Sequence, residues 1–322
     1  MEDGACHSER AMTPPESPAN ATQILPFDEA GITRAAELVL AGQPVAVPTE
    51  TVYGLAADAT NAEAVARIYA AKGRPRFNPL IVHVADLAAA EALGVFDGDA
   101  RGMAKAHWPG PLTIVVPARA DNNIAALVTA GLRTIALRVP AHPAMQALLK
   151  LTGRPLAAPS ANASGRISPT RAAHVLASLD RRIALVIDGG ATGRGIESTI
   201  VAATGGGLRL LRRGPIEVDA PFSSGGVEAP GMMASHYAPS KPLRLDATQA
   251  QDGEFLIGFG DIAGDINLSE SGNLIQAAAR LFDLLHQADA APHPRIAIAP
   301  IPDHGIGAAI RDRLERAAAP RA

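Results

Sequence analysis

Pro44–Asp58 reads PVAVPTETVYGLAAD: an apolar run between two prolines, a polar turn, then a second apolar stretch. Val45, Ala46 and Val47 show no polar alternation, which predicts a short buried strand. Upstream, Asp28 opens a helical pattern in which Ile32, Ala35, Ala36, Val39 and Leu40 recur at helical spacing up to Gly42. Downstream, a helix over about 62–72 stops at Gly73, because Pro75 and Pro79 forbid its continuation. LIVHV at 80–84 is the next strand.

The same alternation continues. Strands are predicted at LTIVVP (112–117), IALRV (135–139), 156–158 and ALVID (184–188), with helices over 86–93, 98–106, 143–151 and 170–179. A β pair over 199–202 and 208–212 turns at Gly205–Gly207. Strands mixed with helices in this way predict an α/β domain with a mixed sheet over 23–217. Residues 218–242 are rich in Gly, Pro and Ser, yet carry Met232, Met233, His236 and Tyr237, an unusual composition for a passive linker. Residues 243–322 repeat strand–helix–strand–helix and predict a smaller Rossmann-like α/β unit. Residues 1–22 are acidic and polar, and read as a disordered leader with no secretory signal.

Composition narrows the function. The chain has 322 residues, 48% hydrophobic and 19% charged, which is ample for a buried core and rules out disorder throughout. One cysteine, Cys6, excludes a disulfide framework, a multi-thiolate zinc site and an iron–sulfur cluster. No apolar run reaches the roughly 18–20 residues of a membrane span, so a cytoplasmic protein is expected. The net charge of −3 is uneven: residues 43–217 carry 19 Lys and Arg against 12 Asp and Glu, a balance of +7. Affinity for polyanions, whether nucleotide phosphates or RNA, therefore belongs to the central segment.

Motifs exclude more than they assign. No G-x-x-x-x-G-K-[ST], H-E-x-x-H or G-x-S-x-G occurs, and Gly190, Gly193 and Gly195 leave a dinucleotide fingerprint incomplete, with Ser198 in its last place. What remains is polar groups at strand ends. Lys72, Arg74, Arg76 and Asn78 sit on a proline-stiffened turn, suited to phosphate oxygens or to complementing a helix C-terminus. Thr49 and Thr51 follow a buried strand, where hydroxyls bond a ligand or satisfy the turn. Ser160 and Asn162 follow another. Arg138, inside IALRV, needs an anion: a protein carboxylate or a ligand carboxylate. His83 in LIVHV is a core histidine or a site residue.

Taken in order, PTETVYGLAADA, AKGRPRFNPLIVHV, WPGPLTIVV, LRTIALRVP, APSANASG, IESTIV and LLRRGP resemble the YrdC-like family of threonylcarbamoyl-AMP synthases, over about residues 23–217. SHYAPSKP (235–242) and the smaller unit resemble its long, two-domain form. The resemblance implies a twisted open mixed sheet with a positively charged cavity, and a nucleotidyltransferase that joins L-threonine, bicarbonate and ATP into L-threonylcarbamoyladenylate with release of pyrophosphate. It implies ATP contacts from Arg74, Asn78, Thr134, Ser160, Asn162, Ser168, Arg212 and Tyr237, with Lys72 on the phosphates. The threonine side would use Thr51, His83, Arg138, the backbone at Ala158, and Ser198. Mg²⁺ would come with ATP, held mainly by phosphates without direct protein ligands, and no organic cofactor is implied. The product would feed a tRNA-modifying threonylcarbamoyl transferase complex. Arg213 departs from the family, where a proline is common. Two rivals remain: an RNA-binding module of the same fold, and a carbamoyl-adenylate former acting on carbamoyl phosphate. An Arg138 tied to an internal carboxylate would count against the threonine clamp.

Overall fold

The computed structural model describes residues 21–223, 228–229 and 235–320. Met232 and Met233, and the leader up to residue 20, lie outside the described residues. Thr22 is already anchored: its N–H donates to Asp180 (3.1 Å) and its hydroxyl to the Ile183 carbonyl (2.8 Å).

Gln23–Pro26 (β1) leads into helix Glu29–Leu40 (α1), capped by the Asp28 carboxylate on the Gly31 N–H. Val45–Pro48 (β2) and Tyr53–Asp58 (β3) pair antiparallel around the 49–52 turn. Helix Ala62–Lys72 (α2) precedes Ile81–His83 (β4), and Leu87–Glu91 (α3) and Gly98–His107 (α4) precede Leu112–Pro117 (β5). Ala126–Thr129 (α5) leads to Thr134–Arg138 (β6), and Pro143–Thr152 (α6) to Leu156–Ala157 (β7). Ala172–Leu179 (α7), Leu185–Asp188 (β8) and the hairpin Thr199–Ala203 (β9) and Leu208–Arg212 (β10) complete the first unit.

These ten strands form one mixed sheet in the order β1-β8-β2-β3-β7-β4-β6-β5-β9-β10. Its central strands β2, β3 and β4 are buried along their whole length, as their unbroken apolar runs require. Residues far apart in sequence therefore meet at the strand ends.

The second unit holds Leu243–Arg244 (β11), Glu254–Gly258 (β12), Ile266–Asn267 (β13), helix Leu274–Ala290 (α8), Arg295–Ile298 (β14) and helix Ile306–Ala318 (α9). Its four strands are all parallel, in the order β11-β14-β12-β13. Leu281, Phe282 and Leu285 of α8 and Ile310 of α9 share one apolar cluster with Val52, Ile167 and Ile196 of the first unit and with Tyr237. That shared core brings the second unit against the first unit's strand ends. Among the described residues no helix is long and apolar enough to cross a membrane.

Candidate active site

The site begins where β2 ends. Thr49 ties the turn: its hydroxyl accepts the N–H groups of Thr51 and Val52 (both 3.2 Å) and donates to the Val52 carbonyl (2.7 Å). Thr51, its hydroxyl 2.8 Å from that of Thr49, accepts from Arg138 Nη1 at 3.0 Å. Of the two threonines, Thr49 serves the turn and Thr51 lines the cavity.

Arg138 ends β6, in register beside His83 on β4. Its anion is a protein carboxylate: Nη2 donates to Glu50 Oε1 at 2.5 Å, while the other Glu50 oxygen accepts the Ala141 N–H at 3.0 Å. Nε donates to the Gly110 carbonyl at 3.3 Å. Burial would raise the Glu50 carboxyl, but Arg138 and the backbone N–H hold it below the usual range. The expectation that the substrate alone supplies the Arg138 counter-ion is therefore corrected. Arg138 is charge-matched within the protein, and a ligand carboxylate would meet it as a hydrogen-bond donor of a neutralised pair.

Gly73, at φ 59°, ends α2 in the left-handed conformation that glycine adopts without strain. Lys72 is turned under the loop after β7, where its Nζ donates to the carbonyls of Ser160 and Asn162, each at 2.5 Å. Burial, then the charge of Arg74, push its ammonium well below its ordinary value. Lys72 thus clips the Ser160–Asn162 loop, and it is not among the residues lining the cavity. Asn162 likewise spends its amide on the Ala163 and Arg166 carbonyls. Arg74 braces the proline turn through the Asn78 and Pro79 carbonyls (3.2 and 2.9 Å) while facing the cavity. Burial moves its guanidinium down to about 10, still charged at neutral pH.

From the hairpin, Arg212 donates to the Ser198 carbonyl (3.0 Å) and hydroxyl (3.1 Å). Beside Ser198, the Glu197 carboxylate accepts from the Ser168 hydroxyl at 2.5 Å and from Arg313 of α9 at 2.9 Å.

These groups surround a cavity of about 500 Å³ lined by Thr51, Arg74, His83, Arg138, Ala158, Ser160, Ser198, Arg212 and Tyr237, together with Val52, Ile81, Pro159, Glu197 and His236. Nine of the fourteen sequence-predicted site residues are there. Lys72, Asn162 and Ser168 support its walls from behind. Asn78 and Thr134 are not among its lining residues; Thr134 opens β6, four residues and roughly 13 Å from Arg138. The N–H of Ala158 is already given to the Ile81 carbonyl, which leaves its carbonyl for a ligand. Arg213 lies elsewhere, on a cleft with Glu217, Asp219 and Asp303. The sequence reading missed Glu50 and Glu197, although an acidic residue at the head of the apolar run IESTIV was a visible signal.

Three buried polar atoms on cavity residues, His83 Nδ1, His236 Nδ1 and Tyr237 Oη, have no hydrogen-bond partner among the described residues. Buried polar atoms are rarely left so unless a ligand or water meets them. His83 is neutral at physiological pH, since burial and then Arg138 push it down to about 3. Among the described residues no group of three or more His, Cys, Asp or Glu is placed to hold a metal.

A ten-stranded mixed sheet, a polar strand-end cavity and a parallel companion unit define a two-domain α/β protein built around a buried small-molecule site. Comparison with known proteins narrows the class. Residues 37–214 match the family described as "Telomere recombination" (Sua5, YciO, YrdC), and residues 196–319 match "Threonylcarbamoyl-AMP synthase, C-terminal domain". The threonylcarbamoyl-AMP synthase of Bacillus subtilis is 40% identical, over 93% of this chain and 96% of its own. That of Pyrococcus abyssi is 36% identical over 90% and 95%. The crystal structure of P. abyssi Sua5 complexed with L-threonine superposes with a TM-score of 0.80 at 34% identity, covering 92% of this chain and 96% of that one. The chain belongs to the threonylcarbamoyl-AMP synthase family, enzymes of the adenylate-forming nucleotidyltransferase type.

Proposed function

We propose that the protein converts L-threonine, bicarbonate and ATP into L-threonylcarbamoyladenylate and pyrophosphate in the cytoplasm, as the first step of N6-threonylcarbamoyladenosine formation in tRNA. A threonylcarbamoyl transferase complex would consume the product. Residues 23–217 form the catalytic domain, 218–242 the segment that closes over it, and 243–322 the companion domain. The observation that carries this reading is the single cavity in which Arg74, Arg212 and Ser160 face Thr51, His83, Arg138 and Ser198. The first group suits a nucleotide's phosphates and the second an amino acid.

In the mechanism, the threonine amine attacks carbon dioxide or bicarbonate and loses a proton to give N-carboxythreonine. A carbamate oxygen then attacks the α-phosphorus of ATP, and pyrophosphate leaves. No covalent nucleophile is needed; the cavity holds two anions in reach and offsets their charge. Carbamates shed CO₂ in water, so the buried position of His236 and Tyr237 is chemically apt. Magnesium arrives as a substrate on the triphosphate and supplies charge neutralisation there. Ser198 and Thr51 read the threonine hydroxyl or amine, and leaving either unpaired disfavours a substrate without that hydroxyl.

An RNA-binding module needs cations that reach a phosphodiester backbone. The cations gathered here, Lys72, Arg74, Arg138 and Arg212, are all buried, which favours the enzyme.

The test is pyrophosphate release with and without L-threonine and bicarbonate, serine serving as the control. Release should require both co-substrates, and Arg74→Ala should abolish it while leaving the melting transition cooperative. Threonine-independent release, or full activity in Arg74→Ala, would remove the assignment.

A further inference from the structure

Glu197 is the one carboxylate among the residues lining the cavity, and it is 6% exposed. On the reading above, that cavity receives a triphosphate, so an uncompensated negative charge on its wall would repel the substrate at short range in a poorly screened setting. The compensation comes from the other domain. Arg313 of α9, 116 positions along the chain and 1% exposed, places its Nε 2.9 Å from Glu197 Oε2. Its Nη1 donates to Asp312 at 2.6 Å and its Nη2 to the Arg213 carbonyl at 2.9 Å, so all three nitrogens are held. Its Cζ lies 5.3 Å from the centre of the Tyr237 ring, within cation–π reach.

Two further contacts make the arrangement more than a core ion pair. The remaining Glu197 oxygen accepts from Ser168, a residue assigned to the nucleotide side. One turn further along α9, the Arg316 carbonyl accepts the His236 N–H at 3.1 Å, so the same helix grips the His236–Tyr237 segment. The two family matches also overlap over 196–214, the stretch that carries Glu197, Ser198 and Arg212.

We propose that Arg313 is a positioning residue for the nucleotide half of the site: it cancels the Glu197 charge and fixes that carboxylate on Ser168, so that the cavity accepts a triphosphate only when the C-terminal domain is docked. The inference rests on the proposed function. It gives the second domain a defined electrostatic task in place of a purely mechanical one.

The experiment compares Arg313→Met, Glu197→Gln and the double variant in the full-length protein, reading kcat, KM for ATP and ATP binding by calorimetry, with thermal melts alongside. Arg313→Met should raise KM and Kd for ATP about tenfold or more, as expected for a buried charge left unpaired, with a smaller change in kcat. Glu197→Gln in the Arg313→Met background removes the charge that needed cancelling. ATP affinity should then return to within about threefold of Glu197→Gln alone, a rescue that mere loss of packing would not produce. If Arg313→Met does not fold, the double variant should still fold and bind ATP. An Arg313→Met protein with unchanged ATP affinity overturns the proposal, as does a double variant no better than Arg313→Met. Wild-type protein without threonine-dependent turnover would remove the functional reading itself, a different and separable failure.

Discussion

Glu50 and Arg138 lie 88 positions apart in sequence and 2.5 Å apart in space. Each is mostly buried, so removing one charge leaves the other in a medium that solvates it poorly. Glu50→Gln tests this directly, because glutamine can still accept the Ala141 N–H through its carbonyl. Stability without ligand should fall by about 3 kcal/mol, the lower end for breaking a buried pair. The threonine carboxylate would then be the only anion beside Arg138. The melting-temperature rise on adding L-threonine should accordingly be larger in Glu50→Gln than in the wild type. Equal rises in the two proteins would mean that Arg138 does not meet the substrate. The sequence made Arg138 conspicuous, since a cation inside an apolar run demands an explanation. It could not name Glu50, because the β2–β3 turn reaches the end of β6 only through the strand order β3-β7-β4-β6. Lys72 illustrates the converse: the sequence placed it in the right loop, but only the structure shows that two carbonyls have claimed its ammonium.

Elements with strong periodicity were legible almost residue by residue. Helix α2 runs from Ala62 to Lys72 and stops at Gly73 as the turn chemistry requires, and β5 is LTIVVP in full. What escaped was short or exposed: β1 is a four-residue edge strand with three exposed positions, and α5 and β13 span four and two residues. Such pieces form because a neighbour offers a partner, not because of their own pattern. Gly195 shows how a motif can mislead. Its glycine-rich context suggested phosphate binding, yet a Cβ there would fall 2.3 Å from the Ala279 carbonyl oxygen and 2.4 Å from that of Ala278, both on α8. With φ at +68° as well, this position lets the loop touch the helix backbone. Gly195→Ala should push α8 off the first unit, costing about 1–3 kcal/mol in melts. Because Ile196 and Glu197 follow immediately, turnover should fall too. A variant that melts and works like the wild type would show that this close approach carries no weight.

At the scale of the whole molecule, the two units share one apolar cluster and a polar seam whose charge state depends on pH. In that seam His174 of α7 and His286 of α8 stack with ring centres 3.9 Å apart, and Asp283 of α8 pairs with both Arg171 and His174. Burial, and then the neighbouring His174, push His286 down to about 4. In the unfolded chain a histidine titrates near 6.5. Between those values the unfolded state binds a proton that the folded state refuses, so stability is complete above pH 6.5 and falls as the pH drops towards 4. At pH 4.5 the loss assignable to His286 is about 2 kcal/mol relative to pH 7, at roughly 1.4 kcal/mol per pKa unit. His83 shifts in the same direction, so the measurable quantity is the difference between proteins. His286→Asn should lower stability at pH 7 by removing the ring stack, yet lose about 2 kcal/mol less than the wild type between pH 7 and 4.5 in urea titrations. Identical pH slopes would place the acid sensitivity elsewhere. A flatter slope in the variant would tie acid sensitivity to the same seam that holds α8 against the active-site domain.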